Sequence, residues 1–169
     1  KEARVTQKGL SIKDITSNTV NFFRSSVIGT IIGIIPATGV SAASFLAYSE
    51  AKRNSKTPEQ FGKGCLEGIA ATESSNNAVC GGALIPLLTL GVPGDIVTAI
   101  MLGALMIQGL TPGPLLFVEH PVTVYGLFAA FVIANIFMLG TGLLTVRVAG
   151  KIIAIPGNLL MPVVLTLCV

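Results

Sequence analysis

Long apolar stretches constrain this chain most, because they are too long and too poor in charge for an ordinary water-soluble fold. They cover residues 25–49, 74–118, 120–146 and 152–169. A membrane span needs about 20 predominantly apolar residues. Only 11% of the residues are charged, whereas a soluble domain carries about a quarter charged residues. The sequence therefore predicts an all-α membrane protein.

One apolar stretch is interrupted by Gly-Val-Pro-Gly-Asp at residues 91–95, here called the second break. Asp95 is the only charged residue between Ser74 and Phe117. Proline removes a backbone donor and glycine disfavours helix, so a helix must break here and leave N–H and C=O groups unpaired. Such groups are costly in hydrocarbon unless protein, water or a ligand satisfies them. We therefore predict a discontinuous transmembrane segment over 78–110.

The first break, Pro-Ala-Thr-Gly at residues 36–39, lies midway along the uncharged stretch 25–49. Each half has about ten residues and reaches about 15 Å, or half of the hydrocarbon thickness. The stretch could be one broken helix or a re-entrant helical hairpin. Paired broken segments of this kind indicate a transporter binding site.

Positive charges in short loops favour the cytoplasmic side. If 25–49 is a hairpin and 78–110 crosses once, all 11 Lys and Arg lie on one side. Two consecutive hairpins divide these charges nine to two. The first arrangement is favoured, and a hairpin over 78–110 stays an alternative.

The other predicted parts are a polar connecting segment 1–24, a cytoplasmic arm with a polar cluster 50–77, an outer loop 111–121, a transmembrane helix 122–146 and the start of a further membrane segment 152–169.

The polar cluster, residues 73–77, combines a carboxylate, two hydroxyls and two amides directly before an apolar run. Asn76 and Asn77 can donate to a carboxylate substrate, and Glu73, Ser74 and Ser75 offer oxygens to Na⁺ or a proton relay. Alternatively, Ser75 or Asn76 only caps a helix.

At the first break, the half-helix after Pro36 presents free N–H groups and the positive end of its dipole, which attract an anionic group. We predict substrate binding there by residues 36–39 (Pro36, Ala37, Thr38 and Gly39) and by Ser41. The alternative is a packing kink, since Ser25, Gly29 and Gly33 form a ridge of small residues suited to close helix contact.

Asp95 is the strongest single candidate for a functional residue, because a carboxylate within the membrane is rare and energetically costly. We predict that Asp95 binds a coupling cation with Thr89, Gly91, Pro93 and Gly94. The alternative is that Asp95 caps the half-helix that starts at Ile96.

Several function classes have no support. The lysines and arginines lie in three short polar stretches without aromatic interleaving, so no nucleic-acid partner is expected. The single His120 and the widely spaced Cys65, Cys80 and Cys168 have no metal-ligand spacing, so no cofactor or metal is expected beyond a coupling Na⁺ or H⁺. No phosphate-binding G-x-x-x-x-G-K-[ST] motif occurs, which argues against an ATPase.

An enzyme is not expected either. Gly94-Asp95 resembles the Gly-Asp element of intramembrane aspartyl proteases, whose chemistry needs two carboxylates. The only other aspartate is Asp14, in the polar N-terminal stretch. An aspartyl protease would therefore need a partner aspartate that lies outside this chain.

Several motifs together resemble the large membrane subunit of the bacterial tripartite tricarboxylate transporter family. They cover residues 33–116, and Ala37 departs from the family's usual Gly. In chain order they are Ile35-Pro36-Ala37-Thr38-Gly39, Phe45-Leu46-Ala47-Tyr48-Ser49-Glu50, Phe61-Gly62-Lys63-Gly64 with Glu67-Gly68, Glu73-Ser74-Ser75-Asn76-Asn77-Ala78, Pro86-Leu87-Leu88-Thr89-Leu90-Gly91-Val92-Pro93-Gly94 and Gly109-Leu110-Thr111-Pro112-Gly113-Pro114.

The resemblance implies a multi-pass secondary transporter of the bacterial inner membrane. It would import a carboxylate such as citrate by symport with Na⁺ or H⁺, receive it from a periplasmic binding protein and work with a small membrane subunit. Full-length members are much longer and have two related halves, and this chain resembles part of the second, so we expect a piece of a longer protein. An elevator-like movement is expected by analogy with other carboxylate transporters. The rival interpretation is a structural or assembly module without a substrate site.

Overall fold

The computed structural model describes residues 11–153 and 166. Among these residues there are seven α-helices, one short 3₁₀ helix and no β-strand, which confirms the all-helical prediction. The elements are α1 (Ile12–Ser17), α2 (Thr19–Ile34), α3 (Gly39–Asn54), the 3₁₀ helix (Pro58–Gln60), α4 (Leu66–Leu90), α5 (Ile96–Ile107), α6 (Leu116–Glu119) and α7 (Pro121–Ile153).

The described residues up to Glu119 form one compact unit, and those from His120 onward form a second. In the second unit, Pro121–Val146 is a stretch of 26 residues with a mean hydropathy of 2.2, long and apolar enough to cross a membrane. The predicted span over 122–146 lies within it. Most of the predicted further segment 152–169 and the first ten residues of the predicted polar segment lie outside the described residues.

The first unit is built on a bundle of α2, α3 and α4, each of which packs against the other two. A four-residue turn joins α2 to α3, so these two helices form a helical hairpin. The inward face of α2 carries small or polar residues at every fourth position, namely Asn21, Ser25, Gly29 and Gly33. The inward face of α3 repeats this spacing with Ala43, Ala47 and Ala51.

Small residues let the backbones of α2 and α4 approach closely. A Cβ atom added at Gly33 would lie 2.6 Å from the carbonyl oxygen of Val79, and one added at Gly82 would lie 2.5 Å from that of Thr30. At Gly29 an added Cβ would collide with the carbonyl oxygen of Ser75. The predicted close packing of the small-residue ridge is confirmed.

The outward face of α2 carries the large apolar residues. They follow one helical stripe, and their exposed fractions run from 41% to 73%, at Phe23, Val27, Ile31 and Ile34. A helix of a soluble protein has the opposite arrangement, with its large apolar stripe facing the core. Small residues inside and large apolar residues outside are the pattern of helices that pack in hydrocarbon.

Aromatic residues close the polar end of the bundle. Phe61 directly follows the 3₁₀ helix. It is 7% exposed and packs beside Ala51 and Ala71. Its ring meets that of Tyr48 edge to face at a centroid distance of 5.2 Å. This contact attaches the connection between α3 and α4 to the bundle.

Candidate functional site

The first break is stabilised by hydrogen bonds from its own Thr38 side chain. The hydroxyl of Thr38 donates to the carbonyl oxygens of Ile32 and Ile35 at 2.8 and 2.7 Å, and so satisfies acceptors at the end of α2. Ala37 has a left-handed backbone with φ of 65°. Such a conformation costs a residue with a Cβ atom about 1–2 kcal/mol, which explains why a glycine suits this position.

The second break begins with a glycine cap. Gly91 has φ of 68°, and its N–H donates to the carbonyl oxygen of Leu87 at 3.0 Å. The N–H of Val92 reaches back to the carbonyl oxygen of Pro86 at 3.2 Å. The bond from Gly91 to Leu87 is that of an αL helix ending, which requires the left-handed conformation that glycine adopts at no steric cost.

Asp95 caps α5. One oxygen of its carboxylate, Oδ1, accepts hydrogen bonds from the N–H and the hydroxyl of Thr98, both at 2.7 Å. The Thr98 hydroxyl in turn accepts from the N–H of Asp95 at 2.8 Å. The capping interpretation of Asp95 is therefore confirmed. The side chain is only partly buried, and among the described residues its second oxygen, Oδ2, makes no hydrogen bond.

The two breaks meet through a backbone hydrogen bond. The N–H of Ala37 donates to the carbonyl oxygen of Gly94 at 2.9 Å. Gly94 is buried, and a Cβ atom there would lie 3.1 Å from that of Ala83 and 3.3 Å from the carbonyl oxygen of Gly33. The prediction that the breaks come together is confirmed, and their depth in a bilayer stays a prediction.

An open cavity of about 590 Å³, here called the break cavity, lies against both breaks. Its walls are Ala37, Gly39 and Val40 on one side and residues 93–97 with Ala99 on the other. A volume of this size is typical of small-molecule sites, which range over about 300–1,000 Å³.

The N-termini of two helices open on the break cavity. Thr38 makes no side-chain cap bond to the first turn of α3, and Asp95 caps Thr98 but not the N–H groups of Ile96 and Val97. Each helix start carries roughly half a positive charge. No Lys or Arg is present in the walls, and Asp95 is the one acidic group there. The cavity thus combines donors for an anion with one carboxylate that favours a cation.

Five of the predicted site residues line the break cavity: Ala37, Gly39, Pro93, Gly94 and Asp95. The others at the breaks, Pro36, Thr38, Ser41, Thr89 and Gly91, flank it without lining it. The hydroxyl of Thr89 donates to the carbonyl oxygen of Ile85 at 2.6 Å, within its own helix.

The polar cluster lies inside α4 and does not line the break cavity. The interpretation that Ser75 or Asn76 caps a helix is wrong, because α4 already begins at Leu66. Ser74 donates to the carbonyl oxygen of Ala70 at 2.7 Å, and the amide of Asn77 donates to that of Glu73 at 2.9 Å. Ser75 is fully buried, and its hydroxyl has no hydrogen-bond partner among the described residues. The ion-coupling role of Glu73, Ser74 and Ser75 and the substrate role of Asn76 and Asn77 stay predictions.

Sequence reasoning missed two features of the site. Pro86 lies inside α4 and cannot donate to the carbonyl oxygen of Gly82, four residues earlier. A proline within an apolar helical run was the available signal. Val40 and Val97 form apolar parts of the cavity wall, and neither carries a sequence signal beyond its place in the first turn of a half-helix.

A bundle of broken apolar helices with half-helix N-termini around one cavity is the architecture of membrane transporters. The family model of the tripartite tricarboxylate transporter TctA family matches residues 1–169. The chain therefore belongs to this family, and the resemblance drawn from its motifs is confirmed.

Two relatives come from Agrobacterium vitis. The chain is 38% identical over 161 residues to the "Uncharacterized 52.8 kDa protein in TAR-I ttuC' 3'region", covering 95% of this chain and 32% of that protein. It is 39% identical over 136 residues to the "Uncharacterized protein in TAR-II ttuC' 3'region", covering 80% of this chain and 56% of that protein. The chain thus spans between a third and somewhat over half of the length of these relatives. No solved structure matches it.

Proposed function

We propose that this chain carries the carboxylate-binding site of a multi-pass secondary transporter in the bacterial inner membrane. It would act in a larger membrane subunit, with a small membrane subunit and a periplasmic carboxylate-binding protein as partners. The observation that carries the proposal is the break cavity, into which the N-termini of α3 and α5 open. Membership of a tricarboxylate transporter family supports the substrate class.

A substrate carboxylate would bind at the start of α3, where Gly39 and Val40 line the cavity in the first turn of the helix. These donors are backbone groups already fixed by the helix, so binding an anion there needs no ordering of long side chains. The hydrogen bond from Ala37 to Gly94 holds this half-helix start beside that of α5.

The coupling cation, Na⁺ or H⁺, would be held by Asp95. Its Oδ1 atom is used by the cap and its Oδ2 atom faces no donor among the described residues. A cation on Oδ2 would offset the repulsion between this carboxylate and the substrate, which is a direct physical reason for the two to bind together. An elevator-like movement of the bundle would then carry both across the membrane.

Replacement of Asp95 by Asn tests the ion site, because Asn caps helices about as well as Asp but carries no charge. Tricarboxylate uptake is measured in proteoliposomes that hold the full-length subunits, with the binding protein supplied, across a series of Na⁺ concentrations and pH values. We expect D95N to lower uptake at least about tenfold at low Na⁺. The matched control is D14N, which changes the only other aspartate, the capping-box residue of α1.

The proposed substrate site is tested by a substitution that fills the break cavity. Val97→Phe adds bulk to an exposed wall residue, and Ile100→Phe makes the same kind of change one turn further along α5, outside the wall. We expect V97F to raise the KM for the tricarboxylate and I100F to leave it unchanged. Asn76→Ala tests the polar cluster in the same assay.

Unchanged uptake and ion dependence in both D95N and N76A would refute the predicted site residues. The rival assembly role makes a different prediction. Uptake would then tolerate substitutions at both breaks, and association with the small subunit, followed by co-purification, would not.

A further inference from the structure

A second cavity lies at the opposite end of the α2–α3–α4 bundle and has no part in the proposed transport site. Its volume is about 490 Å³, and it opens where α2 and α4 begin and α3 ends. We call it the basic cavity, after Arg24 and Lys56 in its wall. Its other polar wall residues include Asn21, Asn54, Thr57 and Glu67.

Arg24 has an incomplete set of partners. A guanidinium has five N–H donors, and the one hydrogen bond from Arg24 among the described residues runs from Nη2 to Oδ1 of Asn21 at 3.2 Å. The Nε atom is enclosed and has no partner in the described part of the chain. The enclosed Nε does not reach the cavity, but the remaining N–H groups on the two terminal nitrogens can donate to an oxyanion.

The nearest carboxylate in the wall does not supply that oxyanion. Glu67 accepts a hydrogen bond from the hydroxyl of Ser55 at 2.6 Å. Among residues 11–153, the ion pair within 4.0 Å is that of Arg53 with Glu50, and it involves neither Arg24 nor Lys56. Two cations face one carboxylate in the basic cavity, so its wall keeps one excess positive charge.

The surroundings of the basic cavity suit a phosphate group carried by a lipid as well as a free one. Val20 in its wall is 77% exposed, and Phe23 beside it is 73% exposed on the outward face of α2. Arg24 is also the last charged residue before the uncharged stretch of α2, which places it where apolar and polar surroundings meet. Acyl chains could pack along the outward face while the headgroup reaches Arg24.

We propose that the basic cavity binds a phosphate group, of an anionic phospholipid or of free inorganic phosphate. The planar fork of Arg24 holds two oxygens, and Lys56 adds a second positive charge. Phosphate binding here holds the start of α2 and the end of α3 together and leaves the break cavity untouched.

The test uses the purified full-length membrane subunit with its small subunit, stripped of lipid in detergent. Native mass spectrometry and thermal unfolding are followed with added phosphatidylglycerol, with diacylglycerol, which has no phosphate, and with inorganic phosphate. We expect phosphatidylglycerol, inorganic phosphate or both to bind and raise the unfolding temperature, and diacylglycerol to do neither.

Arg24→Gln and Lys56→Gln should each weaken this binding at least about tenfold. Because Lys56 is exposed, K56Q leaves the fold intact even if R24Q does not. Lys63→Gln, an exposed lysine outside the cavity wall, is the matched control and should bind as the wild type does.

Binding of phosphatidylglycerol alone identifies a lipid headgroup as the ligand, and binding of inorganic phosphate identifies a free anion. The proposal is overturned if K56Q binds as tightly as wild type, if K63Q loses as much affinity as K56Q, or if a tricarboxylate binds the basic cavity more tightly than phosphate. Uptake is not the readout, so failure of this proposal is separate from failure of the transport site.

Discussion

Gly82→Ala is the most direct test of the close contact between α2 and α4. The added Cβ would lie 2.5 Å from the carbonyl oxygen of Thr30 and 3.1 Å from the Cα atom of Gly33. Restoring an ordinary contact of 3.4 Å requires the two backbones to separate by about 0.9 Å. Overpacking of this kind costs about 1–3 kcal/mol.

Gly81→Ala is the matched control, because Gly81 is the preceding residue of α4 and nothing lies within 4 Å of an added Cβ there. Both variants gain about 1 kcal/mol of helix propensity. This gain cancels in the comparison, so G82A should unfold about 1–3 kcal/mol more easily than G81A. G81A itself should be at least as stable as wild type.

Both variants are made in the full-length subunit, and thermal unfolding in detergent is compared with tricarboxylate uptake. A 0.9 Å shift of α2 would also disturb the hydrogen bond from Ala37 to Gly94, so we expect G82A to lose uptake and G81A to keep it. Gly103→Ala, on α5 and also free of neighbours, provides a second control. Equal stability of G82A and G81A would refute the close packing and the geometry of the breaks that depends on it.

Three pairs of substitutions test the supports of the first break and of the polar end. Phe61→Ala should cost about 3–5 kcal/mol of stability, whereas Tyr48→Phe, which keeps the ring contact, should cost under about 1.5 kcal/mol in the same unfolding assay. Thr38→Val should lose about 1 kcal/mol with its hydroxyl bond to Ile32, and Thr38→Ser should recover it; equal loss in both would contradict that role. Ala37→Val should destabilise, since a β-branched residue at φ of 65° is strained, and Ala37→Gly should unfold no more easily than wild type.

The sequence was sufficient to predict the breaks because proline and glycine act locally. Pro36 and Gly91 end helices through their own backbone limits. The small-residue ridge from Ser25 to Gly33 was likewise visible, since its spacing of four residues places it on one helix face. Asp95 was predicted both as a cap and as an ion ligand, and the cap is confirmed because it needs only the three residues that follow.

The polar cluster could not be placed from sequence alone. Its composition is that of a helix start, and the same residues are also accepted inside a helix when their side chains bond to carbonyl oxygens four residues earlier. Ser74 and Asn77 do this in α4. The sequence also could not predict that Val40 and Val97 line the cavity, because they share one wall only when two distant helix starts are brought together.

The hydrogen-bond donors at the break cavity are backbone N–H groups of two helix starts, and this fact has a consequence for selectivity. N–H groups at the start of α3 attract any carboxylate, since a helix N-terminus recognises charge and not molecular shape. If this cavity is the substrate site, discrimination between carboxylates would come from side chains at the wall, of which Val40, Ile96 and Val97 are the largest, or from a protein that delivers the substrate. An apolar wall separates ligands that differ by a methylene only weakly, by about 10–200-fold. Delivery by a dedicated binding protein would therefore supply selectivity that this cavity lacks, which gives a physical reason for a tripartite arrangement.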